Sequence, residues 1–129
     1  MSRNAIDSYA SVKKQDLQEE KSTYEIVSLL LQGLEDKLTT SIFCIKTNEI
    51  ARKGESIGVA ISLLEALKIS LNKDDGGEIS ENLELLYDFS IRELTDANID
   101  DSIEKVENVL KVIGNIKAGW DGIESQIEK

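Results

Sequence analysis

The sequence predicts an all-α domain, an antiparallel up-down-up-down four-helix bundle with an N-terminal arm. Three observations carry this. The chain has no proline and only 5% aromatic residues. Its β-branched residues are mixed with Leu, Ala, Glu and Lys instead of alternating with polar ones. Four stretches space apolar residues by three and four, and short polar breaks separate them.

Residues 1–21 are polar and weakly patterned. Ala5, Ile6, Tyr9, Val12 and Leu17 are scattered among Ser, Lys, Gln, Asp and Glu. They read as a flexible N-terminal arm. The first helix, about residues 22–46, opens on Ser22-Thr23-Tyr24-Glu25, a Ser-x-x-Glu capping box. Behind it Ile26, Val27, Leu30, Leu34, Leu38, Ile42 and Ile45 form a stripe. Gly33 sits mid-helix, where it costs about 1 kcal/mol relative to Ala, and close packing is its expected reason.

Two places compete for the end of this helix, Thr47-Asn48 and Gly54. Antiparallel neighbours joined by short loops should match in length, which favours Thr47-Asn48. The second helix then covers about 49–71, with Ile50, Ile57, Ala60, Ile61, Leu64, Leu67 and Leu71 on its face. Gly54 and Gly58 fall inside it. They permit either a close helix approach or a weak, exposed first turn.

The chain then breaks at Asn72-Lys73-Asp74-Asp75-Gly76-Gly77. The acids invite a calcium reading, but an EF-hand loop needs Gly at its sixth position and Glu at its twelfth. With Gly77 sixth, the twelfth is Leu83; with Gly76 sixth, the first is Leu71. Both registers fail, so the stretch is a helix–helix turn. The third helix runs over about 78–98, with Ile79, Leu83, Leu86, Ser90 and Leu94 on one stripe. Glu78, Glu81 and Glu84 lie near its N-terminal end, where the helix dipole favours negative charge. Asp101-Ser102-Ile103-Glu104 offers another capping-box-like start to a fourth helix over about 102–127. Its apolar positions include Val106, Val109, Ile113, Ile116, Trp120, Ile123 and Ile127.

The formal net charge is −10, so phosphate backbones and anionic lipid are poor partners. No apolar run approaches the ~18 residues of a membrane span, and no signal peptide is apparent. The single cysteine, Cys44, fits a reducing, cytoplasmic setting. The chain has no histidine. This removes the commonest general base and metal ligand, and no nucleophile–base pair or phosphate loop appears. Neither enzyme activity nor a metal or cofactor is expected.

The stretch Gly76-Gly77-Glu78-Ile79, Asn82-Leu83, Leu86-Tyr87-Asp88-Phe89, Arg92, Ala97-Asn98 resembles the signature of the flagellin-specific secretion chaperones, the FliS family. Gly33 and Trp120 resemble family features of the first and last helices. Two departures stand out. The family usually has Ala-Ser-Pro where this chain has Lys21-Ser22-Thr23. It commonly has a methionine and two arginines where this chain has Ser90, Arg92 and Glu93. The resemblance implies a cytosolic export chaperone. It would bind the disordered C-terminal region of flagellin in apolar grooves, prevent premature polymerisation and deliver flagellin to a component of the type III export gate. Carried over by position, the flagellin-binding residues would be Tyr9, Ile61, Leu64, Asn82, Leu83, Leu86, Tyr87 and Phe89.

An independent signal comes from excess apolar surface. A bundle helix needs roughly three core positions in seven. Ile26 to Leu34 and Leu83 to Ile91 exceed that, so part of each must be exposed, and contiguous exposed apolar surface marks a binding face. The alternative reading is a structural adaptor that self-associates through those faces, for instance as a homodimer.

Overall fold

The computed structural model describes residues 22–71 and 73–127. The arm expected over 1–21, with Tyr9, lies outside them. Among the described residues the chain forms helices α1 (Ser22–Lys46), α2 (Ile50–Ser70), α3 (Lys73–Asp100) and α4 (Ile103–Ile127), with no strand.

Each helix packs against its chain neighbours, and α1 closes the ring on α4. The short links force antiparallel neighbours. Cross-contacts agree: Ser41 meets Ser56, and Tyr24 near the start of α1 meets Trp120 near the end of α4. This is the four-helix bundle expected from the sequence. The α1–α2 interface is the most extensive of the four and the α3–α4 interface the smallest.

The turn after α1 falls at Thr47–Asn48 for a local reason. Asn48 takes φ +61°, a conformation Asn tolerates better than most residues. The Asn48 N–H then donates to Ile45 O at 3.2 Å and the Glu49 N–H to Cys44 O at 2.9 Å. This is a Schellman ending, which satisfies two orphan carbonyls. Gly54 and Gly58 lie inside α2, and a Cβ added at either would meet nothing within 4 Å. They mark no close helix approach within this chain. At Gly33 an added Cβ would meet Leu63 Cδ1 at 3.6 Å, an ordinary contact.

Two boundaries differ from the sequence reading. Helical geometry begins at Lys73, one turn early, and is interrupted at Gly77, whose φ +52° and ψ −125° are not helical. The glycine thus separates a single preliminary turn from the main helix. At the other end α3 continues to Asp100, and Asp101 makes the reversal with φ +55°. The cap of α4 is also simpler than a capping box headed by Asp101. Ser102 Oγ accepts from the Lys105 N–H at 3.2 Å, as an N-cap serine does.

The core is aliphatic: Leu31, Leu34, Leu38, Ile57, Ala60, Leu64, Leu67, Leu94, Ala97, Val106, Val109 and Ile113 are buried. In α3 the buried line runs Ser80, Tyr87, Ser90, Leu94 and Ala97. Ile79 and Leu86, which the sequence stripe placed inside, turn outward. Ile50 and Ile123 are exposed as well.

The two ends of the bundle differ. At the end holding the α1–α2 and α3–α4 turns, the nearly buried ammonium of Lys53 donates to Asn98 O at 3.0 Å and to the Asp101 carboxylate. It joins α2 to the C-terminus of α3, where the dipole favours a cation. Lys105 bonds Asp100 at 2.7 Å, and that ammonium holds the Asp100 carboxyl below its usual range. This end is pinned by polar contacts.

Candidate functional site: an apolar cleft at the open end

Among the described residues the opposite end is open. A cleft of about 280 Å³ lies among the start of α1, the end of α2, the start of α3 and the end of α4. Val27, Leu31, Leu71, Leu83, Ile116 and Trp120 supply its apolar lining. Thr23, Ser70, Ser80 and Tyr87 add hydroxyl-bearing side chains. Its surroundings are apolar too. Ile79 of α3 is 71% exposed, Leu86 38%, and Ile123 of α4 40%. The helical phase of 100° per residue puts Ile79, Leu83 and Leu86 on the α4-facing side of α3. By the same phase Ile116 and Ile123 face α3. These residues form an apolar groove along the smallest interface of the ring.

Tyr87 is the polar feature of this cleft. It is only 3% exposed and lines the cavity. Burial pushes the phenol pKa up to about 12, because the anion would lose its hydration there. The hydroxyl, already neutral at neutral pH, stands beside an apolar surface as a group able to donate.

One wall is braced across the ends of the chain. The Tyr24 hydroxyl donates to Trp120 O at 2.9 Å, and the Trp120 indole N–H donates to Tyr24 O at 3.2 Å. The rings stack at 5.0 Å between centroids and 10° between planes. Trp120 lines the cleft, while Tyr24 lines a shallower pocket on the other side, with Ser28, Leu29 and Asp121. On a second rim Lys68 of α2 bonds Asp88 of α3 at 2.6 Å, which raises the Lys68 pKa.

The structure divides the residues singled out from the sequence. Leu83 and Tyr87 meet in the cleft and Leu86 stands beside it. Asn82 is exposed, and the same helical phase sets it with the exposed Leu85 and half-buried Phe89 on the outer face of α3. Leu64 is fully buried in the core. Ile61 is half-buried against that core, on the α2 side toward α3 by phase, away from the α3–α4 groove. Tyr9 is outside the described residues. Ile79, Tyr24, Ile116, Trp120 and Ile123 belong to the cleft or its edges without having been singled out for binding. The signal for Ile79 is its place on the stripe with Leu83 and Leu86, although in the sequence that stripe reads as facing the core. No comparable local signal marked Tyr24, whose role depends on a residue in another helix.

Nothing in this arrangement suggests bond-making chemistry. Among the described residues no group of His, Cys, Asp or Glu is placed to hold a metal ion. No described helix is long and apolar enough to cross a membrane. The cleft can take apolar side chains and offer a hydrogen bond beside them.

Comparisons with known proteins point to one family. A family model described as "Flagellar protein FliS" matches residues 5–127. The flagellar secretion chaperone FliS of Vibrio cholerae is 31% identical over 121 residues, 94% of this chain and 89% of that protein. The Salmonella typhimurium chaperone of the same name is 30% identical, over 93% of this chain and 90% of its own length. Flagellar secretion chaperone FliSB of Pseudomonas aeruginosa is 29% identical, over 92% of this chain and 94% of its own length.

Proposed function

Since the chain belongs to the FliS family of flagellar secretion chaperones, we propose that it holds the C-terminal segment of flagellin before export. The observation that carries this reading is the open-end cleft with its exposed apolar border. An amphipathic helix laid into an apolar groove is a common recognition mode. Here Leu83, Leu86 and Ile79 would take the apolar face of the client, with Ile116 and Ile123 opposite. The Tyr87 hydroxyl would meet a polar group of the client, since a buried hydroxyl left unpaired costs about 1–3 kcal/mol. Asn82, Leu85 and Phe89 would extend the contact over the outside of α3.

Covering the sticky face of the client would keep it from self-assembling. The energetics favour a long contact. Ordering a residue costs about 1–2 kcal/mol, while each 100 Å² of apolar area buried contributes roughly 2.5 kcal/mol. A few anchors are therefore insufficient, and several helical turns of client must be held at once. The role is physical rather than enzymatic. It would be carried out in the cytoplasm, ending in delivery of the loaded complex to the export gate.

The test is titration of the full chain with flagellin and with flagellin lacking about its last forty residues, about 60 Å of chain if helical. Full-length flagellin should bind and the truncated form should not. Equal binding of both would overturn the client site. The exposure of Leu29 and Leu85 favours one competing reading, a self-associating adaptor. Dimerisation that persists undiminished when the flagellin segment is added would support that reading instead.

A further inference from the structure

The brace between α1 and α4 contains an unsatisfied group. Several helix serines bond back onto their own backbone: Ser41 to Lys37 O, Ser56 to Lys53 O, Ser70 to Leu67 O and Ser90 to Leu86 O. Such back-bonding is the usual outlet for a serine within a helix. Ser28 departs from it. Its Oγ is buried and has no hydrogen-bond partner. The carbonyl four residues earlier belongs to Tyr24, and that oxygen receives the Trp120 indole N–H.

We infer that the Trp120 indole and the Ser28 hydroxyl are alternative donors to the Tyr24 carbonyl, so that the α1–α4 brace is a latch with two states. In the state described here the indole holds the carbonyl, the Tyr24 hydroxyl holds Trp120 O, and Ser28 is left unpaired. In the other state Trp120 swings away and the Ser28 hydroxyl turns onto Tyr24 O. The carbonyl keeps a side-chain donor, and the buried Ser28 hydroxyl gains an acceptor. Exchange of this kind lowers the cost of release, because the Tyr24 carbonyl does not lose its side-chain donor.

The latch bears on the cleft because Trp120 is one of its walls. A cavity of about 280 Å³ accepts a few side chains. A helix laid on the groove can therefore insert only a few side chains at this end, and its body, about 10–12 Å across, stays outside. Release of Trp120 would let the end of α4 move off α1 and widen the cleft, so that more of the client's apolar face could enter. Tyr24, Ser28 and Trp120 are then positioning residues: they set the population of the open cleft without supplying its main apolar contacts. A client that binds only the open state is weakened in proportion to how rarely that state is populated. This inference rests on the reading of the cleft as the client site.

Two substitutions with opposite expected effects test it. Ser28→Ala removes the competing donor and should favour the closed latch. Tyr24→Phe removes one closing bond while keeping the stacked ring and should favour the open one. Calorimetric titration of the full chain with a tryptophan-free flagellin C-terminal peptide should show about threefold weaker binding for S28A and about threefold tighter binding for Y24F. Trp120 is the only tryptophan, so its emission reports the latch in the free protein. It should shift to the red in Y24F and not in S28A. Changes of the same sign in both variants, or none in either, would overturn the latch. If the unaltered chain does not bind the peptide, the client reading fails instead. The emission of the two free variants then still decides the latch, with identical spectra overturning it.

Discussion

The ammonium of Lys53, almost wholly buried near the start of α2, donates to the backbone carbonyl of Asn98 at 3.0 Å near the end of α3. The same Nζ also reaches the Asp101 carboxylate. One side chain thus satisfies an orphan helix carbonyl and fixes the reversal at Asp101. Lys53→Met keeps most of the stem and removes the charge. The half-exposed Asp101 carboxylate can recover water, so the loss should be about 1.5–3 kcal/mol, the range for hydrogen bonds to charged groups. Denaturant unfolding monitored by circular dichroism measures it. A variant as stable as the parent would show that the contact contributes nothing net.

Core and border leucines should separate cleanly. Leu64 is fully buried, so Leu64→Ala should cost about 2–5 kcal/mol of stability. Leu86 is 38% exposed, so Leu86→Ala should cost less than about 1 kcal/mol. It should instead weaken flagellin-peptide binding about tenfold, as loss of a well-placed anchor does. Unfolding and titration of the same two variants provide the comparison. A stability loss for L86A as large as for L64A would return Leu86 to the core.

The glycines should respond in opposite directions. Gly77 takes φ +52° with ψ −125°, a region closed to L side chains, so Gly77→Ala should destabilise by more than about 1 kcal/mol. Gly54 has helical neighbours on both sides and open space at its Cβ position. Gly54→Ala should stabilise by roughly 0.5–1 kcal/mol. Thermal melts of both variants test the pair, and a stabilised G77A would contradict the backbone assignment.

Tyr87 gives a pH dependence with a definite sign. Its pKa is raised from 10.0 to about 12, so the folded chain holds that proton more tightly than the unfolded chain. The contribution is complete below pH 10 and is lost as pH rises toward 12. Over that window the parent should lose about 2 kcal/mol more than Tyr87→Phe. Parallel stability curves for the two proteins between pH 9.5 and 11.5 would exclude the effect.

Much of this architecture is written locally. The spacing of Val27, Leu31, Leu34 and Leu38, or of Val106, Val109 and Ile113, sets a helix and its inner face without knowledge of the neighbours. Asn48 carries its own turn chemistry, and Gly77 marks a break that only glycine accommodates easily. The surplus of apolar residues in α3 also announced that some would remain outside. The stretch from Gly76 to Asn98 carries the family resemblance within one helix and its preceding turn.

The sequence could not choose which of two adjacent apolar lines in α3 faces the core. Leu86 and Tyr87 are neighbours, about 100° apart around the helix, and a wide apolar face accommodates either centre. Packing chose Tyr87 for the interior and turned Leu86 toward the open groove. The Lys53 contact and the Tyr24–Trp120 brace were beyond periodicity altogether, since they join residues 45 and 96 positions apart. The sequence by itself determined the helices, their reversals and the family. Only the tertiary structure decided which end is pinned and which is open, because burial and polar pairing depend on what the neighbouring helix presents.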